Sequence, residues 1–92
     1  MIQSFADAET RTVFLTGKSR RWASLARVAV RRLQALDFAA DIEDLRQPPG
    51  NWLEKLSGDR QGQWSIRINE QFRVCFRWDG VDAWEVEIVD YH

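Results

Sequence analysis

The sequence predicts an α+β fold: an N-terminal strand and two to three helices packed on a small, mainly antiparallel sheet. Three observations carry that expectation. The spacing of apolar residues changes near Gly50, from a period of roughly 3.6 residues before it to roughly 2 after it. Helix-start residues, Asp7 and Ser19, precede the helical stretches, and Pro48-Pro49-Gly50 closes that half of the chain. Apolar side chains make up 45% of the 92 residues, with five Trp and five Phe among the aromatics, which suits one core. No internal repeat or linker interrupts the chain, so residues 1–92 read as a single domain.

Residues 1–5 form a short stretch with apolar Met1, Ile2 and Phe5, and they read as an edge strand. Asp7 can cap a helix over residues 8–16, and Gly17 suits its left-handed stop. Ser19 offers a second cap. From there Trp22, Leu25, Ala26, Ala29, Leu33 and Leu36 follow the i, i+3, i+4 rule of one helix face. Arg20, Arg21, Arg27, Arg31 and Arg32 fall on the other side. Residues 38–45 add one or two turns with an acidic outer surface.

Beyond Gly50, residues 51–56 read as a short strand and three longer strands follow. Trp64, Ile66 and Ile68 share one face, with Ser65 and Arg67 opposite. Phe72, Val74, Phe76 and Trp78 share the next, with Arg73, Cys75 and Arg77 opposite. In the last, Trp84, Val86 and Ile88 point inward, leaving Glu85, Glu87, Val89 and Tyr91 outside. Trp22, Trp64, Trp78 and Trp84 are therefore expected in the core. Trp52 stands beside the turn.

Keeping the apolar faces together requires an odd number of residues in each hairpin loop. The shortest loops are residues 69–71 and 79–81. The first sets Arg67 opposite Arg73. The second sets Phe76 opposite Trp84, Val74 opposite Val86 and Arg73 opposite Glu87. Two arginines across a ladder repel, which a bound anion relieves. A surface network with Glu85 and Glu87 would relieve it equally.

Net charge is −1, but residues 1–36 carry seven Lys/Arg against two Asp/Glu, and the excess beyond them is acidic. A basic face on a near-neutral chain suits an anionic partner as well as plain solvation. One Cys and one His make neither an internal disulfide nor a zinc site, so no metal or cofactor is expected. The start does not read as a secretory signal, and no apolar run approaches the roughly 20 residues that span a bilayer. These features point to the cytoplasm and to no membrane partner.

Tyr91 and His92 are the sole tyrosine and histidine, and they follow Asp90. Parity puts Tyr91 on the face of Arg67 and Arg73, with His92 in reach if the last residues twist. A fixed cation, a phenol and an imidazole match metal-free cleavage of an RNA phosphodiester. That reaction needs a base for the 2′-OH, a cation for the charge growing on phosphorus, and an acid for the departing 5′-oxygen.

The stretch from Leu53 to Trp78 contains Ser57-Gly58-Asp59-Arg60, Trp64-Ser65-Ile66-Arg67 and Asn69-Glu70-Gln71-Phe72-Arg73, and the sequence closes on Asp90-Tyr91-His92. With these motifs it resembles the HigB toxins of the RelE/ParE superfamily, GraT among them, over nearly its whole length. The resemblance implies a RelE-like fold and a type II toxin that cuts translated mRNA in the ribosomal A site without a metal. It implies products with a 2′,3′-cyclic phosphate and a 5′-hydroxyl. It also implies a HigA-type helix-turn-helix antitoxin, through which alone the pair would contact operator DNA. By position, Arg73, Asp90, Tyr91 and His92 match the family's functional residues. Arg20, Arg21, Arg27, Arg31 and Arg32 become the surface facing rRNA, and Arg67, Arg77, Lys55 and Arg60 further RNA contacts. For Arg60 a turn-stabilising pair with Asp59 is the other reading, and Trp52, beside the turn, is also placed where it could touch RNA.

Two positions depart. Many members carry a histidine in this segment and a lysine just before the glycine, where the chain reads Leu53-Glu54-Lys55-Leu56-Ser57-Gly58. A carboxylate can accept a proton, so Glu54 is the expected base. It repels phosphate, however, so a slower nuclease than the histidine-bearing relatives is expected. Lys55, its strand neighbour, faces the other way. Two other readings share the fold: a ParE-like gyrase inhibitor, and a non-catalytic protein that only docks on the ribosome or antitoxin.

Overall fold

The computed structural model describes residues 1–91, so His92 lies outside the described residues. Two helices, α1 (Ala8–Thr16) and α2 (Ala26–Phe38), pack on one face of an antiparallel meander. Its strands are β1 (Glu54–Lys55), β2 (Trp64–Arg67), β3 (Phe72–Trp78) and β4 (Ala83–Asp90), neighbours in that order. Short 3₁₀ turns at Ile42–Arg46, Pro49–Asn51 and Gly58–Arg60 fill the connections. This is the α+β architecture that the change of period predicts.

The core forms where the helix stripe meets the inward sheet face. Ala29, Leu33 and Leu36 of α2 join Val13 of α1 against Ile66, Val74, Phe76 and Val86, all with no exposed surface. Asp7 accepts from the Thr10 amide at 2.7 Å, and Gly17 at φ 72° returns its N–H to Val13, so both expected caps form. Helix α2 begins at Ala26 rather than near Trp22. Ser19 does cap, accepting from the Trp22 amide at 2.9 Å, but it closes a turn over residues 20–25. Trp22 and Leu25 still reach the core from that turn. Arg20 and Arg21 consequently stand ahead of the helix, and only Arg27, Arg31 and Arg32 ride on it.

The N-terminal segment lies along the outer edge of β4, as an edge element should. It runs parallel to β4 through single bridges at Ile2–Ala83 and Phe5–Val86 instead of a continuous strand. Thr10 ties α1 to that strand, its fully buried hydroxyl accepting from the Ile88 amide at 3.0 Å. Thr10→Val keeps the shape and strands the amide, so chemical denaturation should report a loss of about 1–3 kcal/mol. An unchanged midpoint would mean that the amide finds another partner.

The first hairpin has the expected register, with Ile66 opposite Val74 and Arg67 opposite Arg73. The second does not. Its loop has four residues, 79–82, because Trp78 pairs with Ala83. Asp79 holds that loop, accepting from the amides of Asp82 and Val81 and from the Trp84 indole at 2.7–2.8 Å. The same bonds, the Asp82 amide foremost, keep the Asp79 carboxyl below its ordinary range. A β-bulge then adds one residue to β4 opposite Phe76, with Glu85 at φ 52°. Past the bulge Val74 faces Ile88 and Arg73 faces Val89, so Val86 is not the partner of Val74 and Glu87 is not the partner of Arg73. Trp84 is turned outward and 41% exposed, which removes it from the expected core.

Candidate active site

The second sheet face, expected to be open, closes over its centre. Ser65, Arg73 and Cys75 are buried there, Arg73 with 7% of its surface exposed. Strand β3 places Arg73 mid-sheet, and β1 places Glu54 directly opposite Ser65. The Arg73 guanidinium donates to the Ser65 hydroxyl and to the Glu54 carboxylate, the latter at 3.2 Å. Tyr91 covers it from the other side, its ring centre 5.5 Å from the guanidinium carbon. The tail is pinned in that position by the Tyr91 amide, which donates to the Gln71 carbonyl at 2.6 Å.

These groups form the floor of an open pocket of about 410 Å³. Its rim is Asn69 and Glu70 of the first hairpin loop on one side and Trp52 on the other. Arg67 joins the rim, donating through Nε to the Asn69 carbonyl at 3.1 Å with its guanidinium 4.9 Å from the Trp52 ring centre. Two fixed cations, an aromatic on each side, one carboxylate bonded to the deeper cation and a second, Glu70, at the rim thus converge. The arrangement suits a phosphodiester flanked by bases.

Residues 3–92 match the sequence profile of the family described as RelE-like toxin of type II toxin-antitoxin system HigB. The chain belongs to that family. It is 48% identical over 59 residues to Toxin HigB-1 of Vibrio cholerae and 39% identical over 61 residues to Endoribonuclease HigB of Proteus vulgaris. Those alignments cover 63% and 66% of this chain, and the chain spans 62% and 65% of the lengths of the two relatives.

Within the HigB framework, the fold brings together four of the sequence-derived candidates: Glu54, Arg67, Arg73 and Tyr91. Asp90 does not line the pocket. It pairs with Phe72 across the ladder, and its carboxylate accepts from the Gln71 side chain at 3.0 Å, bracing the hairpin that forms the rim. Lys55 lies on the opposite sheet face, its ammonium 5.7 Å from the Trp64 ring centre, as strand parity requires. Arg60 reaches over the buried face to Gln63 and to Glu87 at 2.7 Å, and the bond to Glu87 raises its already high pKa. Arg77 is exposed and pairs with Glu85 at 2.7 Å. The expected network of Glu85 and Glu87 therefore exists, but it serves Arg77 and Arg60 and leaves Arg73 to Glu54.

Of the basic surface, Arg27 and Arg31 are exposed one turn apart on α2. Arg21 pairs with Glu9 at 3.3 Å and lies over the Trp22 ring. Arg32 is half-buried, and its Nε donates to the Arg67 carbonyl at 2.8 Å, so it braces the pocket from behind. Burial, followed by repulsion from Arg31, lowers its pKa. Cys75 is buried under Arg60, and burial pushes its thiol upward, which keeps it protonated and unreactive. Ser65 is the site residue that sequence reasoning missed. Its parity with Arg67 was visible, but its contact with Arg73 is diagonal and depends on rotamers.

Proposed function

We propose that this chain is the toxin of a type II toxin–antitoxin pair and acts as a ribosome-dependent mRNA endonuclease. One observation carries the reading: a buried arginine, fixed by Ser65, Glu54 and Tyr91, forms the floor of an open pocket. Such a cation is oriented before substrate arrives, so it can meet the charge growing on phosphorus without reorganising. The relative named Endoribonuclease HigB supports the same chemistry.

In this reading the 2′-oxygen attacks phosphorus and the bond to the 5′-oxygen breaks. Glu54 takes the 2′-OH proton, and Arg73 stabilises the phosphorane oxygens. His92 protonates the departing 5′-oxygen, giving a 2′,3′-cyclic phosphate and a 5′-hydroxyl with no metal in the scheme. Tyr91 positions the strand above Arg73, and Asp90 holds the hairpin that borders it. Arg20, Arg27 and Arg31 make the phosphate contacts that seat the protein in the ribosomal A site, with Arg21 and Arg32 at their margins. A HigA-type helix-turn-helix antitoxin would be the cytoplasmic partner that restrains the toxin and carries it to operator DNA.

The test is a cell-free translation reaction on a defined mRNA, mapped by primer extension with and without ribosomes. Cuts are expected only in translated message. Glu54→Ala should slow them by about 100-fold, the lower range for loss of a general base. Cleavage of naked RNA at the same rate removes the ribosome from the reading, and a Glu54→Ala protein as fast as wild type removes Glu54 as base.

A further inference from the structure

Trp52 is at odds with its surroundings. A tryptophan ordinarily buries its ring, yet this one is 57% exposed. Its backbone lies in the left-handed region, at φ 45° and ψ 60°, which is uncommon for a bulky side chain and costs free energy. The turn before it enforces that conformation. Asn51 is fully buried and its amide donates to the carbonyls of Leu45 and Gln47, each at 3.1 Å, while the Trp52 amide donates to the Pro49 carbonyl. The turn is therefore anchored to the domain, and the strain is spent on holding an indole at the pocket rim.

Arg67 lies against that indole, and its own bond to the Asn69 carbonyl fixes it there. Across the pocket, Tyr91 lies over Arg73 in the same manner. The space they border, about 410 Å³, is within the range that accommodates small organic ligands. A flat aromatic ring with one exposed face, beside a cation that binds phosphate, is the arrangement that takes a nucleobase by stacking.

We propose that Trp52, backed by Arg67, is a stacking shelf for one nucleobase of the RNA strand whose phosphate lies at Arg73. This rests on the endonuclease reading and adds a binding residue to it. Stacking requires a π-face and reads no hydrogen-bond pattern, so the shelf places the strand without choosing among bases.

The test is a double-mutant cycle on ribosomes programmed with a short mRNA, reading kcat/KM for cleavage. Trp52→Leu is compared with wild type on intact message and on messages with one base next to the cut removed. Trp52→Leu should lose about 10-fold on intact message, and removal of the stacked base should cost wild type the same. The two losses together should be no larger than either alone, and Trp52→Phe should retain most of the activity. If the losses multiply at every position, Trp52 only supports the fold and the shelf is wrong. Cleavage unaffected by Trp52→Leu overturns the shelf alone. A wild-type protein that cuts no message overturns the endonuclease reading and the shelf together.

Discussion

Arg73→Ala is expected to lower cleavage of translated mRNA by about 100- to 1,000-fold, the usual loss when one preorganised donor to a developing oxyanion is removed. The size of the effect follows from the setting. Arg73 is buried, its guanidinium is held by Ser65 and Glu54, and Tyr91 shields it from water. A cation in such a place acts through a lower effective dielectric than one on the surface. Arg73→Lys should recover little, because an ammonium cannot span Ser65, Glu54 and a phosphate with one planar fork. Folding must be followed alongside, since Arg73→Ala leaves the buried Ser65 hydroxyl unpartnered and should cost about 1–3 kcal/mol. Glu54, half exposed, can rehydrate and adds little to that cost. If the alanine variant melts as a folded protein and cleaves within tenfold of wild type, the site assignment is wrong.

Phe76→Ala should have the largest effect on stability. Phe76 is the largest fully buried side chain, in the middle of β3 between the helix layer and the closed sheet face. Truncation removes its apolar contacts and leaves a cavity that the sheet cannot collapse to fill, at a cost of about 3–5 kcal/mol. A small domain has about 5–15 kcal/mol in all. The variant should therefore unfold at much lower urea, with part of the population unfolded at 37 °C. A midpoint close to wild type would show that Trp78, whose ring packs edge-on to Phe76, refills the space.

Much of this was legible in the residues. The caps at Asp7 and Gly17, the buried stripe of α2 and the first hairpin all follow from local rules, and each was read correctly. The second hairpin was not, because Asp79 stabilises a four-residue loop through its own side chain and Glu85 adopts a left-handed backbone. Neither choice shows in an alternating pattern of polarity. The pocket was legible in part. Parity put Arg67, Arg73 and Tyr91 on one face, and the family resemblance singled out Glu54. The pairing of Glu54 with Arg73 and the outward set of Trp52 depend on β1 register and on a 3₁₀ turn, which pattern alone does not specify.

The bulge at Glu85 has a consequence for the far end of its strand. Ala83 before it and Val86 after it both face the core, although three residues apart would ordinarily put them on opposite faces. One left-handed residue thus resets the phase of everything downstream. Had β4 run on from Ala83 in strict alternation, Tyr91 would share the phase of the core and Arg73 would lose its cover. Glu85 lies far along the strand from the pocket and touches none of it, yet it works as the indexing tooth that decides which side of the sheet the chain's last aromatic engages.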